Sequence, residues 1–311
     1  MKKVFLKKAF SIIELSIVLL IVGVIIAGII QSKDLAQTFK LSNARSLTRS
    51  SPVTSINGLL FWAETTLDGA ISDAKTPRDA QTVSKFNNIN WNLTQKNGLV
   101  QSDNSKKPLY KFNIINNLPA LVFDGIDDYL SSESQISNST FLPSNTNNTT
   151  FVVFNPHGAG YLFSYYLSSA SNFTLQAAAA LDDEDNVNAQ FSFPNLDNAI
   201  TSDTKIINQP SIATIYKEPD VVEFFLNGLL VSSVADSNSF ESGSAPIDLA
   251  ADRSLGHYDN FIKADIGEVI IYNRVLKTEE RQEIEKYLSK KWGIELSTPV
   301  SIEITPINPS S

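Results

Sequence analysis

The chain divides into two hydrophobic patterns. From Phe10 to Ile30 nearly every residue is apolar, and the polar stretch that follows keeps a weak apolar stripe until Ser51-Pro52. An α-helix rises about 1.5 Å per residue, so residues 10–30 would span roughly 31 Å, the thickness of a bilayer core. Proline ends a helix because it lacks the amide donor. The pattern therefore predicts one helix over residues 10–50, with a membrane-spanning half at 10–30.

After a predicted linker over residues 51–57, the pattern becomes that of strands. Short apolar runs recur about every ten residues between turn-forming residues, which is typical of a β-sandwich. Asn227-Gly228 lies between two apolar runs and predicts a type I′ hairpin. The sequence therefore predicts a mainly β fold, with the long N-terminal hydrophobic α-helix preceding the sandwich.

The C-terminal end of the chain returns to a helical pattern. A last strand is predicted over Ala264–Leu276, followed by a short helix with Thr278 as its N-cap and Gly293 closing it. Residues 297–311 are rich in proline and serine, and we expect them to form a flexible tail.

One charge, Glu14, interrupts the apolar N-terminal segment. A carboxylate at the centre of a membrane helix costs about 2.5–3.5 kcal/mol even on lenient insertion scales, so a functional role is expected. A plain membrane anchor and a cleaved secretory signal are the alternatives. No A-x-A-like cleavage site follows Ile30, and a signal peptide has no use for a glutamate in its apolar region.

The N-terminal segment resembles the type IV pilin and pseudopilin family. A basic leader over residues 1–9 ends in the small residue Ala9, Phe10 follows, and Glu14 lies four residues further on before the apolar run. The resemblance implies cleavage by a prepilin peptidase between Ala9 and Phe10 and N-methylation of Phe10. Family members more often carry glycine before the cut. In a filament of such subunits, Glu14 could pair with the Phe10 amine of a neighbouring subunit.

The exported part resembles the concanavalin A-like lectin/glucanase (laminin G-like) family. The matching stretches, in chain order, are Gly58–Trp62, Pro119–Leu130, Phe225–Gly228, Gly267–Arg274 and Lys291-Trp292-Gly293. The resemblance implies a jelly-roll β-sandwich over residues 58–296 with a short C-terminal helix.

Charge narrows the possible partners. The chain has 25 basic and 33 acidic residues and no cysteine. Loss of the four leader lysines leaves 21 basic residues, a net charge of about −12 that does not attract nucleic acid. The same lysines predict a cytoplasmic N-terminus, because positive charge favours the inner side of the membrane. Without cysteine, the exported part has no disulfide.

Three aspartates are the candidate metal ligands. Asp124, Asp127 and Asp128 could bind Ca²⁺ through carboxylate oxygens, although Asp124-Gly125 could equally form a simple turn. No other cofactor is predicted. His157 and His257 are isolated in sequence, and exposed tyrosines could stack on sugar rings, for example Tyr161, Tyr165, Tyr166 and Tyr258.

No catalytic motif accompanies these residues. The chain contains neither the E-x-D-x-x-E pattern of jelly-roll glycoside hydrolases nor a G-x-S-x-G elbow. The sequence therefore predicts that the chain is not an enzyme.

These patterns together predict a minor or tip pilin subunit whose exposed head mediates surface or glycan adhesion. The expected partners are other pilin subunits, the prepilin peptidase, the inner membrane before assembly and a surface glycan. The expected location is the bacterial inner membrane and then a pilus or pseudopilus, in the periplasm or outside the cell. A structural pseudopilin of a type II secretion system is the alternative, and a membrane-anchored glycan-active enzyme is the second.

Overall fold

The structure is a computed structural model. It describes residues 12–71, 77–91, 98–132, 147–165, 176–181, 187–192, 200–218, 221–235, 247–254 and 257–297. The predicted leader, Ala9, Phe10 and nearly all of the predicted tail lie outside these residues.

Two helices and twenty strands are described. The helices are α1 (Ile12–Arg49) and α2 (Thr278–Trp292), with a 3-10 turn at Asn104–Lys106. The strands are β1 (Leu59–Glu64), β2 (Gln81–Thr82), β3 (Lys85–Asn87), β4 (Gly98–Val100), β5 (Leu109–Ile115), β6 (Leu118–Asp124), β7 (Leu130–Ser131), β8 (Asn148–Pro156), β9 (Gly160–Tyr161), β10 (Phe163–Tyr165), β11 (Gln176–Leu181), β12 (Val187–Ser192), β13 (Ile200–Lys205), β14 (Ser211–Lys217), β15 (Val221–Leu226), β16 (Leu229–Ala235), β17 (Ile247–Leu249), β18 (Asp252–Ser254), β19 (His257–Asp259) and β20 (Lys263–Tyr272).

The strands form a β-sandwich, which confirms the predicted mainly β fold. In the described residues, a nine-stranded antiparallel sheet has the order β16-β15-β14-β8-β20-β6-β5-β2, with β1 also paired to β20. A five-stranded sheet, β10-β17-β7-β4-β3, shares one hydrophobic core with it. Smaller sheets, β13-β12-β11-β9 and β18-β19, complete the set.

The large sheet is covered on both faces. On β8, Val152 and Phe154 belong to the core between the sheets, whereas Phe151 and Val153 belong to a second core under α2. Successive side chains of a strand point to opposite faces, so a strand buried along its whole length needs a layer on each side. The described residues therefore form three layers: helices, large sheet and small sheet.

The C-terminal half of α1 is part of this second core. Ala44 is buried in it, and the buried hydroxyl of Tyr272 donates to the carbonyl of Val53, 2.8 Å away. One turn before Ala44 in α1, Lys40 Nζ donates to the carbonyl of Asn116 at 3.2 Å. The end of the helix is thus fixed to the sandwich.

The first half of α1 presents its apolar side chains to solvent. Ile12, Leu20 and Val24 are each more than 60% exposed. In the described part of the chain, no helix has both the length and the apolar window needed to cross a membrane. Residues 1–11 and the side chains of residues 26–34 lie outside that description.

A fully buried ion cluster joins α2 to the large sheet. Lys291 Nζ lies 2.7 Å from Glu64 and 2.8 Å from Glu268, and these two glutamates are directly paired across β1 and β20. The indole N–H groups of Trp62 and Trp292 also donate to Glu268. Burial alone raises the pKa of Glu64, but Lys291 and the Thr66 donors outweigh burial and hold this pKa below its usual value.

Of the two local features predicted from sequence, the hairpin turn is present and the helix N-cap is at a different residue. Asn227 and Gly228 both have positive φ angles, 49° and 83°, which confirms the hairpin turn. The prediction that Thr278 is the N-cap of α2 is wrong, because Lys277 occupies that position. Glu280 accepts the Lys277 amide N–H at 2.8 Å, which satisfies a free donor of the first turn. Its ion pair with Arg274 lowers the pKa of Glu280 to about 2.

Candidate functional site

Strands β6 and β8 of the large sheet end, and β20 begins, at the same end of the sandwich. Lys263, the first residue of β20, is paired with Asp124 at the end of β6, and Ala264 is paired with Pro156 at the end of β8. Because the strands are antiparallel, the turns after β6 and β8 therefore lie beside each other. Gly125 belongs to this contact, since a Cβ atom on it would lie 2.8 Å from the backbone nitrogen of Lys263.

The turn after β6 brings the three predicted aspartates together. Asp124 Oδ1 accepts the amide of Ile126 at 2.8 Å, while Asp128 Oδ2 accepts the amide of Asp124 at 3.2 Å. One carboxylate oxygen of each aspartate, with Asp127 included, lies within 4.8 Å of the others. The turn role of Asp124 and the clustering of the carboxylates therefore coexist.

This clustering changes the acidity of one member. Asp128 is buried, and burial, followed by the neighbouring charge of Asp124, raises its pKa to about 6. A hard cation such as Ca²⁺ would be held by these oxygens and would favour the charged carboxylates. Calcium binding by Asp124, Asp127 and Asp128 stays a prediction.

Aromatic rings lie next to the acidic turn. Tyr129, which follows Asp128 in the chain, stacks on Tyr258 with ring centroids 3.8 Å apart, and Phe261 lies 6.2 Å from Tyr129. Tyr161 is bridged to Phe261 through the backbone. All four residues are partly exposed, so an aromatic surface borders the carboxylates.

His157 closes the other side of this end. Its Nε2 lies 2.6 Å from Asp265 Oδ2, and its Nδ1 lies 2.5 Å from Asn208 Oδ1. The hydrogen bond to Asp265 raises the pKa of His157, and the bond to Asn208 raises it further against the effect of burial. An imidazolium donates from both nitrogens, so this ring joins Asp265 of β20 to Asn208 and has no free nitrogen to act as a general base.

We call this region the strand-end surface and define it by Asp124, Asp127, Asp128, Tyr129, His157, Tyr258 and Phe261. It is distant from the attachment of α1. Lys40 of α1 contacts Asn116, just before β6 begins, whereas Asp124 ends β6 about 20 Å further along at about 3.4 Å per residue. The strand-end surface is therefore at the opposite end of β6 from the helix.

The sequence predicted part of this surface. Tyr258 lies in it, and Tyr161 is next to it through its backbone bridge to Phe261. Tyr166 and the side chain of Tyr165 lie outside the described residues, and His257 is described only as part of β19. Tyr129, Asp265 and Asn208 were missed. The position of Tyr129 directly after Asp127-Asp128 was the one available signal, because the partners of Asp265 and Asn208 are distant in sequence.

Comparisons with known proteins give similarities to solved structures. No protein-family model matches the chain, and no curated protein matches it in sequence. A Trypanosoma rangeli sialidase in complex with 2-keto-3-deoxy-D-glycero-D-galacto-2,3-difluoro-nononic acid is similar over 84% of this chain and 40% of that chain, with 11% identity and a TM-score of 0.49. In another complex of that sialidase, this chain spans 34% of the longer chain.

Two smaller domains are similar as well. Domain 4 of AbnA, an extracellular GH43 arabinanase from Geobacillus stearothermophilus solved with arabinotriose, matches over 73% of this chain and 98% of that domain, with 13% identity and a TM-score of 0.46. The CBM40 of a Ruminococcus gnavus IT-sialidase bound to alpha2,3 sialyllactose matches over 44% of this chain and 80% of that chain, with 12% identity and a TM-score of 0.36. These likenesses concern the fold alone.

The comparisons correct one prediction. We predicted from missing motifs that the chain is not an enzyme, and that prediction is wrong, since the similar structures include a sialidase and part of an arabinanase. A jelly-roll motif search tests for one arrangement of carboxylates only.

Proposed function

We propose that this chain is a pilin-like subunit whose β-sandwich head binds carbohydrate at the strand-end surface. One observation carries the proposal: the stacked rings of Tyr129 and Tyr258 border a group of carboxylates at the end of β6 remote from α1. Aromatic faces provide apolar contact area and carboxylates accept hydrogen bonds, and a sugar ring needs both. The proposal rests on these residues and not on the structural neighbours.

The N-terminal part of the proposal concerns assembly. A prepilin peptidase would cut between Ala9 and Phe10, Phe10 would be N-methylated, and Glu14 would pair with the Phe10 amine of a neighbouring copy. The exposed apolar side chains of α1 support this, because such a surface is stable only when lipid or other helices cover it. The subunit would lie in the bacterial inner membrane and then enter a pilus or pseudopilus.

The position of the strand-end surface favours adhesion over a purely structural role. Lys40 fixes α1 to the head, and Tyr272 fixes Val53 just after the helix, so the head would hold this surface away from the helix. We therefore propose a minor or tip pilin. A structural pseudopilin of a type II secretion system would need no such surface.

A glycan array probed with the full chain tests the head. We expect saturable binding to at least one glycan, and at least a tenfold loss (about 1.4 kcal/mol) in Tyr129→Ala. Leu230→Ala, which shortens an exposed side chain on the distant β16, is the matched control and should bind normally. Lack of binding to every glycan would contradict adhesion, and chromatography of the bound sugars would reveal any cleavage.

Mass spectrometry of the mature N-terminus tests the assembly part separately. We expect a chain that begins with N-methylated Phe10. An intact Met1, or cleavage after Ile30, would contradict the pilin assignment without affecting the carbohydrate proposal.

A further inference from the structure

A second concave site lies where α1 crosses the β5–β6 hairpin. This groove has a volume of about 310 Å³, and its walls are formed by Leu41 of α1 and by Phe112 and Pro119 of the head. That volume is at the lower end of the roughly 300–1,000 Å³ range typical of small-molecule sites. The groove and the strand-end surface lie at opposite ends of β6.

An irregularity in β5 creates the aromatic wall of the groove. The pairing of β5 with β6 shifts register between Lys111 and Ile115, and Asn113 adopts a left-handed backbone with φ 59°. Phe112 is consequently turned outward and is 42% exposed. It is nonetheless held in place, because its amide donates to Asp79 Oδ1 at 2.8 Å and its ring meets the edge of Tyr110. An aromatic face is thus presented in a fixed position.

Among the described residues that line the groove, the rim is polar and uncharged. The side-chain amides of Gln37, Asn113 and Asn117 surround the apolar walls and are exposed. Each amide offers both a donor and an acceptor, which suits hydroxyl groups. Lys40 of α1 is not among the described lining residues and donates to the carbonyl of Asn116.

The ligand chemistry follows from this distribution. A charged ligand would lose hydration without gaining an opposite charge from the described lining residues, which is unfavourable. A neutral sugar ring has an apolar face for Phe112 and peripheral hydroxyls for the three amides. We propose that the groove between α1 and the β5–β6 hairpin binds one or two rings of an uncharged saccharide, independently of the strand-end surface.

The test uses the full chain in a detergent without a sugar headgroup. Isothermal titration with chitobiose and maltotriose probes neutral saccharides, and 3′-sialyllactose is the charged comparison. We expect saturable binding of at least one neutral probe, at least tenfold weaker in Phe112→Ala and unchanged in Leu230→Ala, the control on β16. Tyr129→Ala is measured alongside to detect any contribution from the strand-end surface. Gln37→Ala, on the exposed surface of α1, provides a second variant that leaves the head untouched and should also weaken binding.

The outcomes separate the two sites. Absence of saturable neutral binding, equal binding by wild type and both groove variants, or tighter binding of 3′-sialyllactose would each overturn the groove assignment. A loss in Tyr129→Ala alone would overturn it too, while supporting the strand-end surface. A loss in Phe112→Ala and Gln37→Ala with unchanged melting temperatures would support the groove even if the strand-end surface binds nothing.

Discussion

The indole ring of Trp292 covers the backbone of Gly267 so closely that a Cβ atom there would lie 2.5 Å from Cη2 of the ring. Gly267 is also where β20 shifts register against β8, between Ile266 and Glu268. The glycine therefore has a packing role, and the bulge turns Glu268 toward Trp292, which donates to it at 2.8 Å.

We expect Gly267→Ala to destabilise the fold by about 1–3 kcal/mol, because the buried ring must move to admit a methyl group. Chemical denaturation of the full chain measures this change. Gly158→Ala is the matched control, since its Cβ would lie 3.4 Å from the nearest atom, on the exposed Lys263. Equal stability of the two variants would show that the ring does not constrain residue 267.

Removal of the buried ammonium should be more damaging. Lys291→Met leaves Glu64 and Glu268 buried without their cation, and we expect a loss of about 3–5 kcal/mol at neutral pH. Acidification should partly restore this variant, because protonation removes the uncompensated charges. Denaturation curves at several pH values measure both effects.

The wild type should respond to acid in the opposite direction. The pKa of Glu64 is held below its ordinary value of 4.5, so the stability that it contributes is present above that pH and is lost as the pH falls further. Lys290→Met, on the exposed face of the same helix, is the control and should follow the wild-type curve. A neutral-pH loss no larger in Lys291→Met than in Lys290→Met would count against the ion cluster.

Local chemistry made some of this structure predictable. Asn227-Gly228 predicted its hairpin because a type I′ turn needs two residues that tolerate positive φ. Asp124, Asp127 and Asp128 were predicted as a group because one turn contains all three. Each signal lies within a few residues, where the spacing itself fixes the geometry.

The pairing of residues that are distant in sequence could not be predicted from the sequence alone. Glu64 is opposite Glu268, and Tyr129 stacks on Tyr258, only because the sheets bring distant segments together. No spacing rule connects such pairs. The groove at Phe112 was missed for a related reason, since the register shift in β5 exists only relative to β6.

Because of Asp128, the free energy of unfolding should decrease as the pH rises above about 4. Its pKa is about 6 in the fold against 3.8 ordinarily, so the folded chain binds this proton more tightly and stability falls between about pH 4 and pH 6. Asp128→Asn retains an acceptor for the Asp124 amide and should be more stable than wild type at pH 7, by about 1 kcal/mol. Thermal unfolding across this range measures the difference.

The same variant tests the predicted calcium site. If Asp124, Asp127 and Asp128 bind Ca²⁺, millimolar calcium should raise the melting temperature of the wild type and have a smaller effect on Asp128→Asn. Melting temperatures unaffected by calcium would contradict the metal prediction while leaving the pH effect intact.

His157 should stabilise the strand-end surface in its protonated form. The pKa of His157 is raised above 6.5 by its hydrogen bond to Asp265, so its contribution is complete below that pH and is lost as the pH rises through the folded pKa. We expect the stability difference between wild type and His157→Gln to shrink above about pH 6.5.

The chain has two histidines, so an NMR titration with His257→Gln as the assignment control resolves the His157 signal directly. A His157 pKa at or below 6.5 would contradict an imidazolium that donates to both Asp265 and Asn208, and the link between these two residues would then depend on a neutral ring.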